Sequence, residues 1–338
     1  MEYRVAINGY GRIGRCILRA LYESDHREKM VVVGINEPSD IESIAHLTKY
    51  DSTHGRFQGD VSCEGHTLVV NGDPIAVTYQ KELSRLDWAK LGVDVVLECT
   101  GSFTQRSLAE KHLAAGAKKV VFSCPAEPDV DATIVYGVNQ EDLKADHTVV
   151  SNASCTTNCI VPVIKTLHTA FGIESGIITT THAVMNDQPV IDAYHDQDLR
   201  KTRSSSHSII PVNTGLAKGL DRILPELAGR FQALSLRVPT INVSVMQLTV
   251  QVTKACSVLD VNQVLRQAAE NGMNGILGYT EEPLVSCDYN HDPRSSVVDG
   301  TQTRVSGKSV SILAWFDNEW GYANRMLDTT LALLNAPE

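Results

Sequence analysis

The chain has 338 residues, 43% of them hydrophobic and 21% charged, with 40 acidic and 30 basic side chains and a formal charge of -10. This excludes a disordered chain, leaves room for two domains with their own cores, and argues against a nucleic-acid or membrane-surface binder, although a local basic cluster can still hold a small anion. The eight Cys, at positions 16, 63, 99, 124, 155, 159, 256 and 287, show neither CxxC pairs nor the spacing of a disulfide framework, so reduced thiols and no metal centre are expected. No apolar run reaches the roughly 20 residues of a membrane span, and a strand-like run begins at Tyr3, so a cytoplasmic protein with no membrane partner is expected.

Tyr3–Asn8 (YRVAIN) reads as a strand and is followed by Gly9, Gly11 and Gly14 in GYGRIG. Ile13, Ile17, Ala20 and Leu21 then fall on one helix face. Glycines between strand and helix permit a tight turn and let backbone approach a pyrophosphate, which the helix N-terminus stabilises. A second strand over 30–35 leads to Glu37, 23 residues past Gly14, where a carboxylate binds an adenosine ribose and repels a 2′-phosphate. Short strands over 68–70 and 75–78 flank the turn signal Asn71-Gly72. Buried-strand patterns resume over 94–99, 119–123, 133–138 and 148–151, with a helix before Gly116. Strands alternating with helices predict a doubly wound, Rossmann-type parallel sheet whose ligands lie beyond the carboxyl ends of the strands.

After Phe171 the runs over 177–181, 231–238, 243–253 and 310–316 lengthen and alternate, which predicts a mainly antiparallel sheet with one covered face. Helices are expected over 216–224 and 261–269, the latter with Asp260 as N-cap, and a terminal helix over 322–334. The α/β chain is thus expected to comprise a dinucleotide-binding domain over 1–151, to which residues 319–338 return, and an α+β catalytic domain over 152–318. The polar segment 193–208 has the texture of a functional or interface loop.

The stretch VVSNASCTTNC, residues 149–159, places Cys155 where an apolar strand gives way to a helix with Ile160, Ile164, Leu167 and Phe171 on one face. Unpaired N–H groups and the dipole at a helix start favour a thiolate, and Ser154, Thr156 and Thr157 add hydroxyls beside the sulfur. A nucleophilic thiolate in a dinucleotide-binding chain suggests oxidation of an aldehyde through a thiohemiacetal and a thioester. The step needs a base, and His182, ending the strand TTTH, is the best placed of 11 His. Arg237, Arg200 and Lys201 are candidate phosphate ligands.

GYGRIGR, SNASCTTNC, TTTHAVMNDQ, NTG at 213–215, RVPTINVSV and WFDNEWGYANRM together resemble the glyceraldehyde 3-phosphate dehydrogenase family over nearly the whole chain. The resemblance implies that Cys155 is the nucleophile and His182 the group that activates it. It assigns Arg12, Ile13, Glu37, Thr100, Gly101, Ser123 and Asn318 to NAD contacts, with Lys81 at a position usually held by a cofactor-contacting Arg. It places Ser154, Thr156, Thr214, Gly215 and Arg237 around the substrate or phosphate, with Lys201 at a position usually held by a substrate-site Arg. A sugar phosphate substrate and a homotetramer are implied as well. The chain departs from the glycolytic pattern at Met185, where a phosphate-binding Thr is usual, and at Phe316, where a Tyr is usual. A Met cannot donate a strong hydrogen bond. Met185, with VSCDYNHDPRSSVVDGTQTRVSG and ANRMLDTTLA, is most similar to the branch that oxidises erythrose 4-phosphate, hydrolyses the thioester, and is associated with pyridoxal phosphate biosynthesis. The alternatives are a phosphorylating enzyme acting on glyceraldehyde 3-phosphate and a non-catalytic NAD-binding redox sensor that uses Cys155 only as an oxidisable thiol.

Overall fold

The computed structural model describes residues 2–196 and 198–337; Gln197, in the polar loop, and the two terminal residues lie outside the described residues. The chain forms two units, Met1–Ser154 with Ala323–Glu338, and Cys155–Tyr322.

In the first unit β1 (Tyr3–Asn8) leads to α1 (Arg12–Tyr22), β2 (Met30–Asn36), α2 (Ile41–Lys49), β3 (Val61–Glu64), β4 (Thr67–Val70) and β5 (Asp73–Thr78). There follow β6 (Val95–Glu98), α3 (Arg106–Ala114), β7 (Lys119–Phe122), β8 (Ala132–Thr133) and β9 (Val149–Ser151). Among the described residues they build one nine-stranded sheet, ordered β8-β9-β7-β6-β1-β2-β5-β4-β3. It is parallel from β8 to β5 and ends in the antiparallel meander β5-β4-β3. The central strands are near-continuous apolar runs because both faces are covered: Val5, Ala6, Ile7, Val95, Val96 and Leu97 are all buried. Asn71 and Gly72 both adopt positive φ, as a tight hairpin between β4 and β5 requires. The strand expected over 133–138 is only Ala132–Thr133. Asn139 ends it, since its side chain accepts the Val135 N–H at 2.8 Å, donates to the Thr133 carbonyl at 3.0 Å, and so closes a turn.

The second unit runs through α4 (Cys155–Phe171), β10 (Ile173–His182), β11 (Ile210–Val212), α5 (Leu216–Ile223) and β12 (Phe231–Arg237). It continues through β13 (Ser244–Val252), α6 (Val258–Gln267), β14 (Leu277–Thr280), β15 (Ser296–Ser306) and β16 (Ser309–Phe316) to the start of α7 (Trp320–Leu334). The sheet order is β11-β12-β10-β13-β16-β15-β14, with antiparallel pairing except between β10 and β12 and between β14 and β15. One face buries Ile178, Met246, Leu248, Ile312 and Ala314; the other leaves Ile177 and Leu234 exposed. Asp260 is not the N-cap of α6. Ser257 is, and Asp260 sits three residues in, where its carboxylate accepts the Ser257 N–H at 2.8 Å in a reciprocal capping box. Pro162 lies inside α4, which continues through it. No helix among the described residues is long and apolar enough to cross a membrane.

Candidate active site

In the first unit, a cleft of about 420 Å³ opens beyond the carboxyl ends of β1, β2, β5 and β6, and Gly9, Gly11, Glu37, Lys81 and Thr100 line it together with Asn8, Asn36 and Gln80. Gly9 has φ +88°, and a Cβ there would lie 2.7 Å from the Thr100 nitrogen. A Cβ on Gly14 would lie 2.4 Å from the Gly9 carbonyl oxygen, whereas Gly11 faces open space. The first turn of α1 has no side-chain cap, and a helix N-terminus favours an anion. This cradle fits the pyrophosphate of a dinucleotide. Glu37 Oε2 accepts the Tyr10 N–H at 2.9 Å, which fixes the acid beside the glycine turn. Arg12 and Ile13 open α1. The Arg12 guanidinium is held by Asp51. Thr100 and Gly101 follow β6, and Ser123 follows β7.

In the second unit Cys155 is the first residue of α4. His182 ends β10, and its Nε2 lies 3.8 Å from Cys155 Sγ. The parallel register pairs His182 with Arg237. His182 Nδ1 lies 2.7 Å from the Ala183 carbonyl oxygen and 2.7 Å from Arg237 Nη1. A neutral imidazole serves one of these at a time. If Nδ1–H donates to Ala183, Nε2 is free to take the thiol proton. If Nδ1 accepts from Arg237, the ring proton sits on Nε2 and faces the sulfur. Ser244, fully buried, accepts the Ala183 N–H at 3.0 Å and donates to Asn318 Oδ1 at 2.7 Å. Phe316 and the imidazole pack in a T-shaped arrangement, with centroids 6.2 Å apart.

The electrostatics correct the expectation of a resting thiolate. Burial pushes the Cys155 thiol up to about 11, although the Arg237 charge and the Thr156 backbone N–H pull it down. Burial, then the Arg237 charge, lower His182 to about 4. Desolvation of the charged forms thus outweighs the helix start, and near neutral pH both groups are uncharged.

Burial would raise the Asp187 carboxyl, but the hydrogen bond from Lys201 and the Arg237 charge hold it below the ordinary range. Lys201 Nζ donates to Asp187 Oδ2 at 2.7 Å. Sequence reasoning missed both Asp187 and Ser244. Lys201 therefore belongs with Asp187, whereas Arg200 is exposed. Thr214 and Gly215 head α5, where the Thr214 hydroxyl accepts the Leu216 N–H at 3.2 Å, and α5 packs on α4. Ser154 and Thr156 flank the nucleophile, half-buried. Met185, three residues past His182, is 45% exposed.

Residues 3–106 match the NAD binding domain of glyceraldehyde 3-phosphate dehydrogenase, and residues 154–318 match the C-terminal domain of the same enzyme. The chain therefore belongs to the glyceraldehyde 3-phosphate dehydrogenase family and is an NAD-dependent dehydrogenase.

Proposed function

We propose that the chain oxidises D-erythrose 4-phosphate to 4-phospho-D-erythronate, with Cys155 as nucleophile, His182 as acid and base, and water as final acceptor. The observation that carries the chemistry is the 3.8 Å approach of Cys155 Sγ to His182 Nε2, in a chain with an NAD-binding domain. The sulfur bonds to the aldehyde carbon, the thiol proton passes through Nε2, and the carbonyl oxygen leaves the step as the hydroxyl of a thiohemiacetal. His182 then removes that hydroxyl proton as the carbonyl re-forms and the carbon gives up its hydride. Gly9, Gly11, Arg12, Ile13, Glu37, Lys81, Thr100, Gly101, Ser123 and Asn318 would hold NAD, which would supply the hydride acceptor when bound. His182 passes the hydroxyl proton to solvent and then takes one from the attacking water; the carbon–sulfur bond breaks as the acid forms, and the sulfur takes the proton back from His182 to restore the thiol.

The base form needs Nδ1–H on Ala183, so Arg237 must leave Nδ1. The anionic end of the substrate is the group that draws it away, with Lys201, Arg200, Thr214, Gly215, Ser154 and Thr156 completing the substrate site. Met185 supports the four-carbon substrate, because its thioether offers no donor to a phosphate lying where that of a three-carbon aldehyde would. The step fits the branch associated with pyridoxal phosphate biosynthesis, and a cytoplasmic homotetramer is part of the proposal. Exposed Ile177 and Leu234 on the open sheet face, and Val190, Ile191, Tyr194 and Leu199 on the loop, support self-association.

The test is NAD reduction with erythrose 4-phosphate and with glyceraldehyde 3-phosphate, each with and without inorganic phosphate. Faster turnover of erythrose 4-phosphate that needs no phosphate is expected. Preference for glyceraldehyde 3-phosphate with strict phosphate dependence would return the chain to the glycolytic activity, and no turnover with either aldehyde would leave an NAD-binding redox sensor.

A further inference from the structure

Beneath the cofactor cleft lies a buried polar network that the reaction does not use. Glu98, the last residue of β6, is 1% exposed, and its carboxylate takes four hydrogen bonds. Oε1 accepts the Thr100 N–H at 2.9 Å and the Thr100 hydroxyl at 2.5 Å. Oε2 meets Asn8 Nδ2 at 2.6 Å and His112 Nε2 at 3.0 Å. The Trp88 indole N–H, which can only donate, reaches His112 Nδ1 at 3.0 Å. That leaves the imidazole proton on Nε2, aimed at Glu98. On the far side, Asn8 Oδ1 accepts from Asn36 Nδ2 at 2.8 Å, and Asn36 Oδ1 accepts the Thr78 hydroxyl at 2.9 Å and the Gln80 N–H at 2.8 Å. One carboxylate thereby ties together the carboxyl ends of β6, β1, β2 and β5 and the turn that follows β6. Asn8, Asn36, Gln80 and Thr100 are themselves walls of the cleft.

We propose that Glu98 is a positioning residue for NAD: it touches no cofactor, and it sets the cleft by clamping the Thr100–Gly101 turn with one oxygen and the Asn8–Asn36 pair with the other. The anchor must be an acceptor on both oxygens. In Glu98→Gln the amide turns an N–H₂ either on the Thr100 N–H or on Asn8 and His112. His112 cannot adjust, because Trp88 fixes its tautomer. A buried mispairing of this kind is released by moving the turn away from its cofactor-binding position.

The test measures NAD affinity of the full chain by titration calorimetry, with thermal midpoints taken alongside. Glu98→Gln is expected to weaken NAD about tenfold or more, and to raise KM for NAD while KM for the aldehyde at saturating NAD holds. Thr100→Val, which removes one of the four bonds on an exposed turn, serves if Glu98→Gln does not fold, with a smaller loss of NAD affinity expected. Val150→Ala in the core of the same unit supplies a destabilised control with the network intact, and wild-type affinity is expected. NAD affinity within about twofold of wild type in Glu98→Gln and Thr100→Val would overturn the proposal. So would an equal loss of affinity in Val150→Ala at a matched drop in midpoint. NAD binding is read directly, so the outcome does not depend on which aldehyde is the substrate.

Discussion

Ser244→Ala is the most exacting test of how the second unit holds its base. The Ser244 hydroxyl is fully buried and serves two partners at once, accepting the Ala183 N–H at 3.0 Å and donating to Asn318 Oδ1 at 2.7 Å. Truncation strands a buried donor and a buried acceptor, each at about 1–3 kcal/mol, so a loss of about 2–6 kcal/mol is expected. In urea this lowers the midpoint with the slope unchanged. The catalytic effect follows from position: the Ala183 carbonyl sits 2.7 Å from His182 Nδ1, and loosening Ala183 lets the ring drift from Cys155. Since a misplacement of about 1 Å costs on the order of a hundredfold, kcat is expected to fall about tenfold or more. Asn318→Ala closes a double-mutant cycle, with a coupling of about 1 kcal/mol expected between two residues in one hydrogen bond. A stability loss below about 0.5 kcal/mol with kcat unchanged would refute the reasoning.

Cys155→Ser should abolish turnover while NAD still binds, and Cys159→Ser, four residues into α4 and fully buried, should stay active; steady-state rates and NAD titration check both. His182 is lowered to about 4 in the fold against an ordinary 6.5. The unfolded chain thus takes the proton first, and wild type should lose up to about 3 kcal/mol as pH falls from 6.5 through 4. Urea unfolding at pH 7 and pH 4.5 should show a smaller loss for His182→Asn, and equal losses would refute the buried neutral imidazole. Glu37 should make NAD the preferred cofactor by rejecting a 2′-phosphate, so comparable kcat/KM with NADP would contradict its placement. Met185→Thr should raise kcat/KM for glyceraldehyde 3-phosphate relative to erythrose 4-phosphate about tenfold, the scale of one hydrogen bond to a charged group. An unmoved ratio would remove Met185 from substrate selection.

The sequence made the parallel sheet, the glycine turn and the start of α4 legible, because each rests on local patterning: apolar runs, glycines between strand and helix, and a change of period after Ser154. The places of Cys155 at a helix start and His182 at a strand end were legible, whereas their 3.8 Å approach needed the fold. The protonation state of Cys155 was not legible, because the N-terminal dipole is a local property whereas the desolvation that outweighs it comes from packing. Asp187 was hidden because its meaning depends on Lys201, 14 residues further on. Ser244 and Glu98 were hidden for the same reason: a serine in a strand and an acid at a strand end are ordinary until their partners, 61 and 90 residues away, are placed. Asp260 was misplaced by three residues because Ser257 and Asp260 are both good cap formers, and the reciprocal bond decides which is which.

Both units use the same physical device, which explains why polar residues collect at strand ends in otherwise apolar stretches. Where a strand leaves its ladder, the next N–H groups lose their backbone partners, and in a buried place each must be matched or costs stability. After β6 the unmatched group is Thr100, and Glu98 takes it; after β10 it is Ala183, and Ser244 takes it. The bond that satisfies the strand end also fixes the residue beside it: the Thr100–Gly101 turn in one unit, the His182 ring in the other. On the proposed roles of these residues, satisfying buried backbone and orienting the chemistry would be the same act. A polar residue bound to the backbone just past a strand end can thus contribute to the chemistry without touching a ligand.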